Sequence, residues 1–279
     1  MQLPSVFKNQ LLQPSSFERV SISWQGVLRA FLPIITLVLL VCAWQVVVIL
    51  ELYPVFIVPT PLSVFEKFLG VTFGEDRVRL LPHVFVTLHA VLLGLMSGLV
   101  LGFALGYVIA KVEWLEQALS PIIIAFQATP VVAYAPLLVI WFGSGTSSKV
   151  ITSALIVFFP TLMNVIIGIR SVPHSLYDLM YTLHASRRQI LFQLELPASA
   201  PVVLGGMKIS ATLAVIGAVV GEFVGAKAGL GFLITLARNQ FDTPLVIVAV
   251  FSLTVMALTL YGLVGLVERN ALAWKSHAS

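Results

Sequence analysis

One carboxylate, Glu222, lies in the otherwise apolar run 202–226, which also carries Lys208. At the centre of a membrane span a carboxylate costs about 2.5–3.5 kcal/mol, so one found there is a candidate for handling a solute or an ion. The two charges are 14 residues apart, about 21 Å along a helix, so snorkelling to opposite interfaces is a second reading of the pair. Gln127, Tyr134, Asn164 and Thr212 are polar groups in other apolar runs. With Glu222 they are the candidates for lining a pathway. The competing role for each is an interhelical hydrogen bond, worth about 0.6 kcal/mol. The chain has no HExxH, GxSxG or GxxxxGK[ST] pattern, and its five histidines show no paired metal spacing. These residues point to binding and passage rather than to bond-making, with no metal site.

The elements that hold them belong to a membrane protein. Of 279 residues, 59% are hydrophobic and 10% charged, and the mean hydropathy is +1.02. A soluble domain is about 45–50% apolar and about 25% charged. A soluble enzyme and a disordered chain are excluded, and the single Cys42 excludes a disulfide scaffold. The net charge of +4 fits basic residues in cytoplasmic loops. No basic cluster interleaved with aromatics marks a nucleic-acid partner.

Six runs are long enough to cross a bilayer as helices: 31–50, 84–110, 118–142, 150–169, 202–226 and 244–267. The fold class is all-α, with six transmembrane helices. With the N-terminus inside, ten of the sixteen Lys and Arg fall on the cytoplasmic side and six outside, which favours cytoplasmic termini. The division is a cytoplasmic segment 1–27, a transmembrane domain 28–274 and a cytoplasmic tail 275–279. The external stretch 51–83, with Pro54, Pro59 and Pro61, begins extended and then forms a short surface helix near 62–68. Gly94, Gly98, Gly102 and Gly106 recur every fourth residue in the second span. Gly217, Gly221 and Gly225 do so in the fifth. Such stripes let helix backbones approach closely. Gly229 and Gly231 mark a helix break. Tyr107 and Trp141 fall near span ends, where aromatics anchor to the interface.

The stretch 171–201 reads as two short helices on the cytoplasmic side. Ser175 with Asp178 is a capping pattern, followed by an apolar stripe of Leu176, Leu179, Met180 and Leu183. A turn falls at His184-Ala185. Ser186 with Gln189 is a second capping box, and that helix is expected to stop at Pro197. The pair suits either a helix lying on lipid headgroups or a knob docking into a groove on a soluble partner.

This stretch resembles the loop motif of ATP-binding-cassette importer permeases: an acidic residue and two alanines, three residues, glycine, nine residues, an aliphatic residue, one residue, then Leu-Pro. The acidic position falls on Asp178, the alanines on Leu179 and Met180, and the glycine on His184. The aliphatic falls on Leu194 and Leu-Pro on Leu196-Pro197. The spacing, the acid and Leu-Pro match; both alanines and the glycine differ. A left-handed turn at His184 costs about 1 kcal/mol. The run 129–145 (TPVVAYAPLLVIWFGSG), Phe159-Pro160 with Asn164, the run 221–232 (GEFVGAKAGLGF) and Glu268-Arg269 are similar to the nitrate, sulfonate and taurine importer subfamily. The run 218–226 is closest in look to permeases for pyrimidine precursors and riboflavin.

The resemblance implies an importer permease in the bacterial inner membrane that catalyses no reaction. It implies a second permease copy, a cytoplasmic ATPase dimer that binds ATP, and an external solute-binding protein. The chain itself would hold no cofactor. Coupling to the ATPase would involve Ser175, Asp178, Leu179, Met180, Leu183, His184, Ala185, Arg187, Arg188, Leu196 and Pro197, with Asp178 capping its helix. The solute would be small and organic or anionic: a vitamin or pyrimidine precursor, a sulfonate, taurine or nitrate. The alternative is an ion-coupled secondary transporter, which often shows two inverted halves. No internal repeat of that kind stands out.

Overall fold

The computed structural model describes residues 24–74 and 78–273. Residues 1–23 of the expected N-terminal segment and the whole 275–279 tail lie outside them. The chain divides into two compact units, Met1–Leu52 and Tyr53–Ser279. The first holds α1 (Trp24–Ile49), whose stretch Phe31–Ile49 is uncharged and contains no buried residue. A helix of that kind is one made for lipid.

Among its described residues the second unit holds ten α-helices: α2 (Pro61–Phe73), α3 (Leu80–Lys111), α4 (Glu113–Ala128), α5 (Val131–Phe142), α6 (Thr146–Arg170), α7 (His174–Thr182), α8 (Arg187–Gln189), α9 (Leu196–Phe223), α10 (Leu230–Asn239) and α11 (Thr243–Ala271). A π-helical stretch, Ile190–Glu195, joins α8 to α9. The described residues contain no strand. In lipid every backbone polar group must find its partner within the chain, and helices do this locally. The surface helix α2 is about two turns longer than its apolar run suggested. Thr60 Oγ1 accepts the Ser63 N–H at 3.0 Å to open it, with Pro61 in its first turn.

The helices α1, α3, α6, α9 and α11 are long and apolar enough to cross a bilayer. The expected span 118–142 is instead broken into α4 and α5, bent by 93°. The cause is Thr129-Pro130. Proline has no N–H to give and disfavours helical geometry at the residue before it, and both residues are extended, with ψ of 123° and 125°.

The expected stop at Pro197 is also corrected. Arg187–Phe223 runs through it as one 37-residue helical stretch. The Leu196 N–H reaches back to Leu191 O, five residues away, and Pro197 then occupies the first turn of α9, where a missing N–H costs least.

Helix α6 lies between α3 and α9, and the glycine stripes set how closely they pack. A β-carbon on Gly94 would sit 2.3 Å from Ser153 Cβ, and one on Gly98 2.7 Å from Ala154 O. At Gly102 and Gly106 it would meet the carbonyls of Phe158 and Leu162, each at 2.8 Å. From the other side, Gly217 would meet Ser153 Cα at 2.5 Å and Gly221 would meet Lys149 Cα at 2.9 Å. Ser153 Oγ donates to Ala214 O at 2.9 Å, and Thr161 and Ser210 share a hydrogen bond of 3.1 Å. Gly225 does not continue the stripe. It lies beyond the end of α9 with φ +80°, and a β-carbon there would come no nearer than 3.8 Å to Ser144. It turns the chain rather than packing it.

Gly102→Val should therefore force α3 and α6 apart and destabilise the protein by about 1–3 kcal/mol. Gly205→Ala, where nothing lies within 4 Å, should be neutral. Thermal unfolding of the purified variants in detergent measures the difference.

Candidate functional site

Two buried carboxylates, Glu195 and Glu222, lie at the two ends of α9, 27 residues or ~40 Å apart. Each is held by a lysine from a neighbouring helix.

Glu195 ends the π-helical stretch and is 1% exposed. Tyr107 Oη on α3 donates to its Oε2 at 2.9 Å, and Lys111 at the C-terminus of α3 pairs with its Oε1. The Lys111 ammonium also lies 5.7 Å from the Tyr107 ring centroid and 5.1 Å from that of Tyr177 on α7. Burial, and then the neighbouring Glu195 charge, push the Tyr177 phenol above its ordinary range. Tyr177 and Met180 also pack on the cluster of Val172, Ile190 and Leu194. Tyr107 therefore faces the protein rather than anchoring in the interface, whereas Trp141 stays exposed. Arg170 pairs with Glu116, tying α6 to α4 at the same end.

Helix α7 thus rests on the body through Tyr177 and Met180 and turns its other side outward. Leu179 is 54% and Leu183 67% exposed, and Ser175, Asp178, Tyr181, His184, Arg187 and Arg188 are exposed beside them. Ala185, Leu196 and Pro197 are half-buried. Neither Ser175 nor Asp178 caps this helix, which corrects the sequence expectation. Pro173 holds the N-cap position without a side-chain bond. Asp178 sits mid-helix, where its carbonyl accepts Thr182 Oγ1 at 2.9 Å. The helix begins two residues earlier than the capping pattern implied because Pro173 fixes the entry angle.

The turn follows the pattern. His184 has φ +53°. Its N–H bonds Tyr181 O and the Ala185 N–H bonds Met180 O, both at 3.0 Å. That pair is a Schellman closure with histidine in the left-handed position glycine favours. Ser186 and Gln189 form the expected capping box.

At the opposite end Glu222, also 1% exposed, faces the start of α10. Three successive N–H groups there are capped by side chains from other helices. Gly229 N donates to His83 Nδ1 at 3.1 Å, Leu230 N to Thr87 Oγ1 at 2.8 Å, and Gly231 N to Glu222 Oε2 at 2.7 Å. Thr87 Oγ1 in turn donates to Glu222 Oε1 at 2.9 Å. Lys149, 5% exposed, lies 3.8 Å from Glu222 Oε1 and donates to Ala228 O at 2.7 Å. A β-carbon on Gly229, at φ +123°, would fall 2.1 Å from the Glu222 carboxylate. Glu222 is thus enclosed as a helix cap, where the positive end of α10 favours its charge. Lys208, the other charge of this run, pairs with Glu268 on α11.

The remaining pathway candidates separate into two groups. Asn164 Nδ2 donates to Pro160 O at 2.8 Å and its side chain wedges against Gly206. Thr212 Oγ1 returns to Ile209 O at 2.8 Å. Both donors are satisfied within their own helix. Gln127 and Tyr134 instead line one cavity of about 190 Å³ at the α4–α5 break. Sequence reasoning missed Glu195, Lys111 and Tyr177 at one end of α9, and Thr87, Lys149 and His83 at the other. Their partners are far apart in the chain; an acid directly before Leu196-Pro197 was the available signal.

A helical permease with a broken span and a helix pair projecting from one end is the class this architecture defines. Residues 80–272 match the family described as "binding-protein-dependent transport system inner membrane component", and the chain belongs to it. It is 48% identical to the riboflavin transport system permease protein RibX of Chloroflexus aurantiacus, over 87% of this chain and 89% of RibX. It is 31% identical to the formylaminopyrimidine transport permease protein ThiX of Halalkalibacterium halodurans, over 88% and 97%. It is 29% identical to the taurine transport system permease protein TauC of Escherichia coli, over 92% and 94%. The fold is also that of the inward-facing MetNI methionine ABC transporter. That match has a TM-score of 0.62 at 18% identity and covers 69% of this chain and 95% of the MetNI chain. The protein is a membrane permease subunit of an ABC importer.

Lys149→Met leaves Glu222 buried without its cation and should cost about 3–5 kcal/mol. Adding Glu222→Gln, which keeps an acceptor for Gly231, should recover most of that loss. Thermal melts of the single and double variants test the pairing, and equal melting temperatures would exclude it.

Proposed function

We propose that this permease moves a small organic solute inward through a pathway formed with a second copy of the chain, driven by an ATPase dimer that docks on α7. ATP binds the ATPase, and this chain does no bond chemistry. Both termini and α7 lie in the cytoplasm. An external binding protein delivers the solute to the end that carries α2, α10 and the Glu222 cap. The homology to RibX and ThiX favours a vitamin or a vitamin precursor over a simple anion.

The observation that carries this reading is the two-sided construction of α7. Its inner side is bound to Glu195 and Lys111 through Tyr177. Its outer side presents Leu179 and Leu183 to solvent, with Arg187 and Arg188 close by. An apolar pair flanked by charge suits the groove of a soluble partner, the helix-in-groove mode. Movement of the partner would then reach α3 through Lys111 and Tyr107, and α9 through Glu195.

Removal of residues 175–184 should abolish ATP-driven uptake while the chain still inserts in the membrane. Affinity purification from native membranes should recover a stoichiometric ATPase with the intact chain and none with the deletion. Normal uptake by the deletion variant, or gradient-driven uptake without ATP, would overturn the proposal.

A further inference from the structure

We infer that the cavity at the α4–α5 break is a solute-binding waypoint in the permease itself, built for an uncharged planar ring. This inference rests on the permease reading above and adds the place of contact and its selectivity.

The break is the first observation. Non-helical backbone at membrane depth persists only where it is buried in protein or lines a cavity. Thr129-Pro130 interrupts the apolar stretch between Glu113 and Phe142, and the 190 Å³ cavity opens there. Its walls come from α4 and α5 on one side and from Leu155, Ile156, Phe159 and Pro160 of α6 with Leu213 of α9 on the other.

The second observation is its chemistry. Phe126 and Phe159 stack with centroids 5.6 Å apart and planes 10° from parallel. Both rings border the cavity, and Phe126 is 56% exposed. Their separation leaves no room for a ring between them, so a ligand ring would extend the stack from the open Phe126 face. Gln127 offers an amide with two donors and an acceptor, and Tyr134 offers a hydroxyl. Among the described residues no protein group bonds either side chain. Thr129 and Thr212 differ from them, since their hydroxyls bond to carbonyls of their own helices.

The third observation concerns charge. No Lys, Arg, Asp or Glu lines the cavity. An anion leaving water would find no cation there, and an ammonium no carboxylate, so desolvating either would be costly. A neutral heteroaromatic ring loses little on desolvation. Its face meets the phenylalanine stack, and its edge nitrogens and oxygens meet the amide and the hydroxyl. The cavity therefore selects rings over sulfonates, taurine or nitrate.

The test is equilibrium dialysis of radiolabelled riboflavin, formylaminopyrimidine, taurine and nitrate against the full chain in lipid nanodiscs. Saturable binding of at least one ring compound is expected, without competition from taurine or nitrate. Phe126→Leu keeps the apolar volume but removes the ring, and should weaken binding about ten-fold, within the range of one aromatic stacking contact. Gln127→Leu should weaken it similarly. Phe251→Leu, on the far apolar groove beside Phe68 and Met256, should bind as the parent does. No binding of either ring by monodisperse protein, equal binding of taurine, or an unchanged affinity in Phe126→Leu would each overturn the inference. The ATPase recovery described above reads the permease role independently, so failure of this site leaves that role standing.

Discussion

The close approach of α6 to both α3 and α9 is the constraint on which the other features depend. In lipid there is no hydrophobic force to drive one apolar helix onto another, so contact and hydrogen bonding must do it. Side chains at Gly94, Gly98, Gly102 and Gly106 would occupy the space that the α6 backbone fills. Gly217 and Gly221 open the other side of α6 in the same way. Ser153 sits where both stripes meet, and its hydroxyl finds a carbonyl on α9. Three helices packed at backbone distance cannot slide a fraction of a turn without collision. They form one body, and parts attached to that body inherit its movement.

What is attached to it is set by the two buried carboxylates. An uncompensated charge in such surroundings would be prohibitive. Each carboxylate is tolerated because it meets a lysine and further donors. Glu195 gathers α3 and the underside of α7. Glu222 gathers α3, α6 and the first turn of α10. The same helix therefore carries the attachment point of a segment at each end. A lysine-to-carboxylate pair is also directional enough to fix the rotation of a helix about its axis, which apolar packing in lipid does poorly.

Much of this was legible in the sequence, and the limits have physical causes. Glycines at a spacing of four announce a packing face because only backbone approach requires them. The Ser186–Gln189 box and the left-handed turn at His184 are local, so their signals lie within a few residues. Pro197 misled, because proline ends a helix only where its missing N–H is needed; the π-helical stretch before it removes that need. Thr129-Pro130 misled in the opposite sense. Apolar composition continues through it, and composition cannot register a bend. Glu222 was visible as an anomaly, but its role depends on His83 and Thr87, more than 130 residues earlier. No local pattern carries that information. Asp178 kept the motif's acid position while a proline five residues earlier took over the start of its helix.

The contrast between the packed body and the broken α4–α5 pair gives the architecture its direction. The cavity has one wall from each. Phe159, Pro160 and Leu213 belong to the packed body, whereas Gln127 and Tyr134 stand on either side of the Thr129-Pro130 break. Along α9, Leu213 lies between the two carboxylates, so a displacement entering at Glu195 passes the cavity before it reaches the Glu222 cap. The opposite wall need not follow, because the extended residues at the break can absorb a change of angle. Only Arg170 with Glu116 ties α4 to the base of α6 by a charge pair among the described residues. With one wall driven and the other hinged, movement of α7 would change the width of the cavity rather than carry it along whole. A ring held on Phe126 by stacking, without ionic contacts, would be released by a small widening, since stacking and dispersion fall steeply with distance.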